Sequence, residues 1–141
     1  MQRILFFSAF LLFSSCASSG HNKQEVEAAM KYYDHLILTS NADSISLLYT
    51  PDGNLGNIAI GRDSIRKFLS SFKNIKVLSQ SSISASVQID ADTAIQKGTY
   101  QQSDIIAGKD TVHVKGEFTA TWQWMPNKTW HIKKMTTQPI K

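Results

Sequence analysis

The chain has 141 residues, of which 42% are hydrophobic and 10% aromatic, and its formal net charge is +4. This size supports one domain with a sizeable core and leaves no room for a second. The basic residues are spread along the chain and are not interleaved with aromatics on one face, so nucleic-acid binding is not predicted.

Cysteine usage excludes two further classes of protein. Cys16 is the only cysteine, so no intramolecular disulfide can form and the domain must be held together by its core. The histidines show neither paired spacing nor cysteine partners, so a structural metal site is not expected. We predict no cofactor.

The N-terminus reads as a targeting segment. Residues 1–15 combine an early Arg3, an apolar run of about ten residues and small residues before Cys16, which is typical of a secretory signal and too short to cross a bilayer. The tail Phe13-Ser14-Ser15-Cys16 resembles a bacterial lipobox. The alternative is a plain signal peptide with an incidental cysteine.

The lipobox resemblance implies that Cys16 is the lipidation site and the mature N-terminus. Residues 16–24 would then be a small, polar tether, and 25–141 the folded domain. We expect a periplasmic or outer-membrane lipoprotein of the cell envelope that contacts the membrane through its N-terminal lipid only.

The first half of the domain has helical periodicity. Val26, Met30 and Tyr33 recur at helical spacing and predict one inward-facing stripe from Glu25 onward. Asn41 and Asp43 are candidate caps of a short second helix. The apolar residues of that helix are Ile45, Leu47, Leu48 and Tyr49.

A turn and a third helix follow. The tetrapeptide Thr50-Pro51-Asp52-Gly53 predicts a turn, because proline presets φ and glycine accepts positive φ. An extended piece from Asn54 to Ile60 then leads to an amphipathic helix after Gly61, with Asp63 as its favourable first-turn acid.

The second half changes to strand periodicity. Four strands are predicted, over about 77–89, 93–104, 112–124 and 130–138. The third has the longest alternation. Its apolar face comprises Val112, Val114, Gly116, Phe118, Ala120, Trp122 and Trp124.

These elements predict an α+β fold in which three N-terminal helices pack in a strongly curved antiparallel sheet. Short connections favour meander pairing of the strands. Because long strands twist and curl around the helices, a cavity is expected at the open end.

Three segments carry a resemblance to a known family. Asn41 to Gly53 and Gly61 to Phe68 look like the helical half of SnoaL-like domains of the NTF2-like superfamily, and Phe118 to Trp124 with Trp130-His131-Ile132 looks like the closing hairpin. The resemblance implies a cone-shaped fold with an apolar pocket, often paired as a homodimer through the sheet. Because members include isomerases, cyclases, dehydratases and proteins without a known reaction, the fold does not supply the function.

The same resemblance allows a comparison with the isomerase branch. It places Tyr33 at the oxyanion-binding tyrosine, but it puts the base near Asn57 and the second oxyanion group at or near Ala120. Asparagine is not a useful base and alanine donates nothing from its side chain. The resemblance therefore predicts no isomerase-type proton transfer and no catalytic residue.

Aromatic side chains are the remaining candidates for a pocket wall. Each of them is equally or better explained as an ordinary core residue. The candidates are Tyr33, Tyr49, Tyr100, Phe118, Trp122 and Trp124. By strand alternation His113 and His131 belong to the polar face, and adjacent Asp34 and His35 point about 100° apart on their helix.

Three functions remain open. The first is a lipid-anchored, non-catalytic module that binds a small apolar or amphipathic molecule or a protein partner. The second is an enzyme of the same fold, an isomerase, cyclase or hydrolase-like catalyst using Tyr33. The third is a structural dimerisation module whose core is filled by its own side chains.

Overall fold

Residues 20–140 are described in a computed structural model and form three helices and six strands. In chain order they are α1 (Lys23–Thr39), α2 (Ala42–Leu47), β1 (Tyr49–Leu55), β2 (Ala59–Ile60), α3 (Arg62–Ser70), β3 (Ile75–Asp90), β4 (Thr93–Ile106), β5 (Asp110–Met125) and β6 (Thr129–Pro139). Cys16 and the predicted signal segment lie outside this part of the chain. None of these helices has the length and apolar character needed to cross a membrane.

Helix α1 begins two residues before the predicted start. Asn22 is its N-cap and its side chain accepts a hydrogen bond from the Glu25 backbone N–H, which satisfies a donor that the first helical turn leaves unpaired. The helix ends at Ser40, whose φ of 51° is left-handed. Val26 and Met30 are buried on the predicted inward stripe.

Helices α2 and α3 start as predicted, but α2 ends at Leu47, and Tyr49, predicted to belong to it, begins β1. The Asn41 side chain caps α2 by accepting from the Ser44 N–H. Gly61 precedes α3 with a φ of 82°, a conformation that glycine adopts without strain, and Asp63 lies in the first turn. Ile65 of α3 is fully buried.

The turn predicted at residues 50–53 is wrong, because those residues belong to β1. Strand β1 runs parallel to β6, but the pairing register jumps between Tyr49 and Asn54. Pro51 and Gly53 occupy this irregular stretch, where the proline removes no ladder hydrogen bond. Local turn propensity was overridden by the tertiary pairing.

The sheet has six strands in the order β2-β1-β6-β5-β4-β3 and is mixed and open. The predicted antiparallel meander is confirmed for β3 to β6, which pair in sequence order. The prediction gave residues 54–60 as one extended piece, without separating β1 from β2, and it missed the parallel pairing of β1 with β6. Short strands at a sheet edge carry little periodicity, so their pattern alone does not reveal them.

The alternation of β5 is confirmed where the sheet faces the helices. Gly116, Phe118, Ala120 and Trp122 are buried, while Glu117, between Gly116 and Phe118, is exposed. Val112, predicted on the same face, is exposed at the start of the strand. The apolar face is therefore covered only where the helices lie over it.

Irregularities in β3 bend the sheet around the helices. The pairing of β3 with β4 shifts register between Val77 and Ser79 and again between Ser84 and Ser86. Each bulge increases local twist and bends its strand. The curved sheet and the helices enclose a space that the core does not fill completely.

Candidate functional site

A cavity of about 210 Å³ lies between the helices and the concave side of the sheet. Its walls come from α1, α3 and five of the six strands, and they are mostly apolar. We call it the cone cavity. Its lining residues include the predicted Tyr33, Tyr100 and Phe118 together with Gln80, Ser82 and Gln102.

Tyr33 extends from α1 into this cavity. Burial raises the pKa of Tyr33 to about 12, an effect partly offset by the neighbouring Tyr49 hydroxyl and reinforced by the charge of Asp34. Burial likewise raises the pKa of Tyr49. Although the two hydroxyls are neighbours, the Tyr49 oxygen meets no partner in hydrogen-bond geometry. Both phenols are therefore neutral donors at physiological pH.

Two glycines in the sheet make room for aromatic rings of the cavity wall. Tyr100 pairs with Gly116 across β4 and β5, and a Cβ at Gly116 would stand 2.5 Å from the Tyr100 ring. Phe118 pairs with Gly98, where a Cβ would stand 2.8 Å from its ring. Because each ring covers a glycine, it lies against the sheet and leaves the cavity open.

One polar wall of the cavity is held by Asp34, which is buried on α1. Its carboxylate accepts from the Ser82 hydroxyl at 2.7 Å, from the Ser82 N–H at 2.8 Å and from the Gln80 amide at 3.0 Å. These three bonds join α1 to β3. They also leave the Gln80 Oε1 buried without a hydrogen-bond partner.

Sequence reasoning missed the position of Asp34. Pairing it with His35 drew attention to a dyad that the helix geometry forbids, and His35 is indeed exposed. The spacing from Met30 to Asp34 is four residues, which places both on the same helix face. That spacing was the available signal for a buried carboxylate.

A second buried carboxylate orients the neighbouring amide on the same wall. Asp104 of β4 accepts from the Gln102 amide with both oxygens, at 2.9 Å each, and Gln102 pairs with Gln80 across β3 and β4. Gln102 lines the cavity, whereas Asp104 lies outside its lining. The two adjacent amides are therefore oriented by carboxylates that do not themselves face the cavity.

Tyr49 and Trp122, two further predicted candidates, are fully buried in the core and are not among the residues that line the cone cavity. The Trp122 indole donates to the Gln96 side-chain oxygen at 2.9 Å. Ala120 is also a core residue. Asn57 lies exposed in the β1–β2 turn with a φ of 60°, bonded to Asn54 and away from the cavity.

Trp124, the last predicted candidate, lines a different space. It belongs to an outer groove of about 560 Å³ between α1, α2 and the β5–β6 hairpin. The outer groove is larger than the cone cavity but more open to solvent and dominated by apolar side chains. Because side-chain amides, Gln80 and Gln102, line only the cone cavity of these two spaces, beside the Tyr33 hydroxyl, we take the smaller space as the candidate site.

His131 also borders the outer groove, which corrects its predicted place on a solvated face. It is half-buried, and burial lowers its pKa, so the imidazole is neutral. Its Nδ1 lies near the backbone of Leu47 and Tyr49 but meets no partner in hydrogen-bond geometry. His113 is exposed, as predicted, and contacts the Ser103 hydroxyl at 2.8 Å.

The lining of the cone cavity contains no carboxylate and no histidine. Within residues 20–140, no three histidine, cysteine, aspartate or glutamate side chains come together as a metal site would require. The arrangement can accept and donate hydrogen bonds around an apolar centre. It offers no group of the cavity wall that takes up or releases a proton near neutral pH.

Solved structures resemble this architecture. A ketosteroid isomerase-like protein from Erwinia carotovora atroseptica superposes with a TM-score of 0.73 at 18% identity, covering 86% of this chain and 99% of that one. An NTF2-like protein with a cystatin-like fold from Novosphingobium aromaticivorans gives a TM-score of 0.69 at 16% identity, covering 84% and 82%. The domain has the NTF2-like fold. The fold implied by the sequence resemblance is thereby confirmed.

A proposed scytalone dehydratase from N. aromaticivorans is also similar, with a TM-score of 0.70 at 16% identity over 84% of this chain and 83% of that one. Identities this low establish the NTF2-like fold and nothing about chemistry. No protein-family model matches the chain, and no curated protein does either. Function must therefore be argued from the cone cavity itself.

Proposed function

We propose that this protein is a lipid-anchored binding module of the cell envelope whose NTF2-like domain holds a small amphipathic molecule in the cone cavity. The observation that carries the proposal is the cavity wall, which combines aromatic and aliphatic side chains with neutral hydroxyls and oriented amides. Such a wall suits a ligand with an apolar body and one or two polar groups.

The size of the cavity limits the ligand. A volume of 210 Å³ falls below the range of about 300–1,000 Å³ that is usual for drug-sized ligands. The Tyr33 hydroxyl, kept protonated by burial, would donate to a carbonyl or hydroxyl oxygen. Phe118 and Leu55 would contact the apolar part.

Binding is favoured over catalysis because the nearest carboxylates are already engaged. Asp34 uses its oxygens to hold Gln80 and Ser82, and Asp104 holds Gln102. Moving Asp34 to a substrate would break the bonds that link α1 to β3, and moving Asp104 would release the Gln102 amide that it orients. The cavity therefore lacks a free base beside its one strong donor, Tyr33.

Native mass spectrometry of the full-length protein purified from membranes tests the cavity. Thr137→Trp should close the rim and remove a retained molecule, because Thr137 is an exposed residue of the cavity lining. Thr99→Trp is the matched control, since Thr99 is exposed on the outer face of β4. A retained mass that is equal in both variants, or absent from the unmodified protein, would contradict ligand binding in the cavity.

The anchor is tested separately at Cys16. The unmodified protein should carry acyl chains on Cys16 and partition with membranes, because two chains suffice for stable anchoring. Cys16→Ser should move the protein to the soluble fraction. Unchanged partitioning and unchanged mass would contradict lipidation.

The enzymatic alternative rests on one observation, the neutral hydroxyl of Tyr33 inside an apolar cavity. Such a donor also stabilises an oxyanion. Incubation with a ketosteroid in heavy water tests it by proton exchange, and we expect exchange at the buffer rate only. Faster exchange that Tyr33→Phe abolishes would favour an isomerase.

Homodimer formation is also proposed, through the outer face of the sheet. Ile83 and Ile95 are exposed there, on β3 and β4. Exposed apolar side chains on a sheet face are a common feature of interfaces. The subunit count in the same native mass spectra decides between a monomer and a dimer.

A further inference from the structure

The chain enters the fold through a contact at His21, just before α1. The His21 ring lies 4.2 Å from the ring of Trp124 and 5.0 Å from that of Trp130, measured between centroids. Its Nδ1 is 3.0 Å from a Glu25 carboxylate oxygen, and its Nε2 is 3.7 Å from Asp92. The segment that precedes His21 therefore leaves the domain beside the outer groove.

Apolar and aromatic side chains are exposed next to this exit point. Tyr32 is 55% and Leu47 59% exposed, and both line the outer groove with Trp124. We call these three residues, with Lys128 of the β5–β6 turn, the aromatic patch. Tyrosine, tryptophan and lysine beside an aliphatic side chain are the residues that favour the interface between a bilayer and water.

We propose that the aromatic patch rests on the headgroup region of the membrane that holds Cys16. This inference rests on the lipid anchor of the proposed function and adds the orientation of the domain. The cone cavity plays no part in it. In this arrangement, the β5–β6 hairpin tip and α2 face the bilayer, and the anchor and the patch share one surface.

The short chain between Cys16 and His21 supports the membrane as the surface that the aromatic patch contacts. Cys16 and His21 are five residues apart, and an extended chain spans at most about 17 Å over that length. A lipidated Cys16 would lie at the bilayer surface, so His21 cannot be further from it than this, and the Trp124 and Trp130 rings lie next to His21. A soluble protein partner would have to displace the membrane from the same space.

Charge on the patch is compatible with an anionic bilayer. Lys128 is exposed in the groove lining and is free to approach headgroup phosphates. The acid of the groove lining, Glu25, is partly exposed and is hydrogen-bonded to the His21 ring and the Trp130 indole. Glu25 is therefore hydrogen-bonded within the fold, whereas Lys128 is exposed to solvent.

Tryptophan quenching by brominated lipids tests the orientation. The full-length acylated protein is reconstituted into vesicles of phosphatidylethanolamine and phosphatidylglycerol, with or without bromine on the acyl chains near the headgroups. Two of the three tryptophans line the outer groove, so bromine should cause roughly a twofold loss of emission. The acyl mass of each sample is measured first.

Leu47→Glu should abolish the quenching, because it places a charge in the headgroup contact. Ile58→Glu is the matched control and should retain it, since Ile58 is 69% exposed in the β1–β2 turn and does not line the outer groove. Tyr32→Glu is the second patch variant if Leu47→Glu unfolds. Each variant must keep the melting temperature of the unmodified protein.

The outcomes separate the orientation from the anchor. Acylated protein that floats with the vesicles without quenching overturns the patch contact and leaves the anchor standing. Quenching that both patch variants retain also overturns it. Protein that lacks acyl chains overturns the anchor and this inference together.

Discussion

The cone cavity and the outer groove are both lined mostly by aromatic and aliphatic side chains, but they differ in volume and in their polar groups. The cavity is the smaller space, 210 Å³ against 560 Å³, yet it contains the neutral Tyr33 hydroxyl and amides held by buried carboxylates. The groove is mostly apolar, and its acid, Glu25, is bonded to His21. Size therefore does not identify the site, whereas convergence of polar groups does.

Trp122 and Trp124 show how sharply the two regions divide. They are two residues apart on β5 and share the same strand face, but Trp122 is fully buried and Trp124 is half-buried in the groove. The helices cover Trp122 but do not fully cover Trp124. Two residues on the same strand face therefore lie on the same side of the sheet, but the strand pattern does not determine how deeply each of them is buried.

The largest expected effect is at Trp122. Trp122→Ala should lower the free energy of unfolding by about 3–5 kcal/mol, because it leaves a large hole and deprives Gln96 of its donor. Trp124→Ala should cost about 1–2 kcal/mol, since its indole is only partly buried. Denaturant unfolding measures both, and equal losses would erase the distinction between core and groove.

The next effect is the loss of folding stability at alkaline pH. Tyr33 has a pKa of about 12 in the fold against 10.0 ordinarily, so its stabilising contribution is complete below pH 10. Between pH 10 and 12 the unfolded chain loses this proton first, and stability should fall by about 2–3 kcal/mol.

Tyr33→Phe should make this part of the pH profile less steep, with the buried Tyr49 responsible for the remaining slope, as measured by denaturant unfolding at a series of pH values. Tyr32→Phe is the control, because Tyr32 is 55% exposed. If the Tyr32 variant flattens the profile as much, the phenol inside the cone cavity is not the responsible group.

A smaller effect is expected at the glycine beneath Tyr100. Gly116→Ala places a Cβ 2.5 Å from the Tyr100 ring and 2.6 Å from the Gln138 carbonyl oxygen, which the backbone cannot easily relieve. We expect a loss of about 1–3 kcal/mol and weaker ligand retention. Gly20→Ala meets nothing within 4 Å and should leave both unchanged. Full stability of Gly116→Ala would show that the wall is deformable.

The smallest effect belongs to the groove. His21→Ala removes ring contacts with two tryptophans and should cost about 0.5–1 kcal/mol. The hydrogen bond from His21 is the main reason that the pKa of Glu25 is lowered, so that pKa should rise in the variant, as measured by NMR titration. Ligand retention in the cone cavity should not change. A loss of ligand retention would show that the outer groove and the cone cavity are energetically coupled.

Much of the fold could be predicted from the pattern of residues. The three helices, the Asn41 cap and the β3 to β6 meander follow from periods of 3.6 and 2 residues and from local capping chemistry. The strand at residues 49–55 could not, because Pro51 and Gly53 favour a turn locally, and the segment is held extended by the pairing of its two ends with β6.

The candidate site was less predictable than the fold. The aromatic type of its wall was evident from sequence, but Tyr33, Tyr100 and Phe118 were separated from the other candidates only by where the helices and the sheet meet. Asp34 gained its three hydrogen bonds from β3, which lies 46 and 48 residues away along the chain. Local sequence therefore determined which residues face inward, whereas tertiary packing decided which inward residues border a cavity, because a cavity is defined by atoms that are distant in sequence.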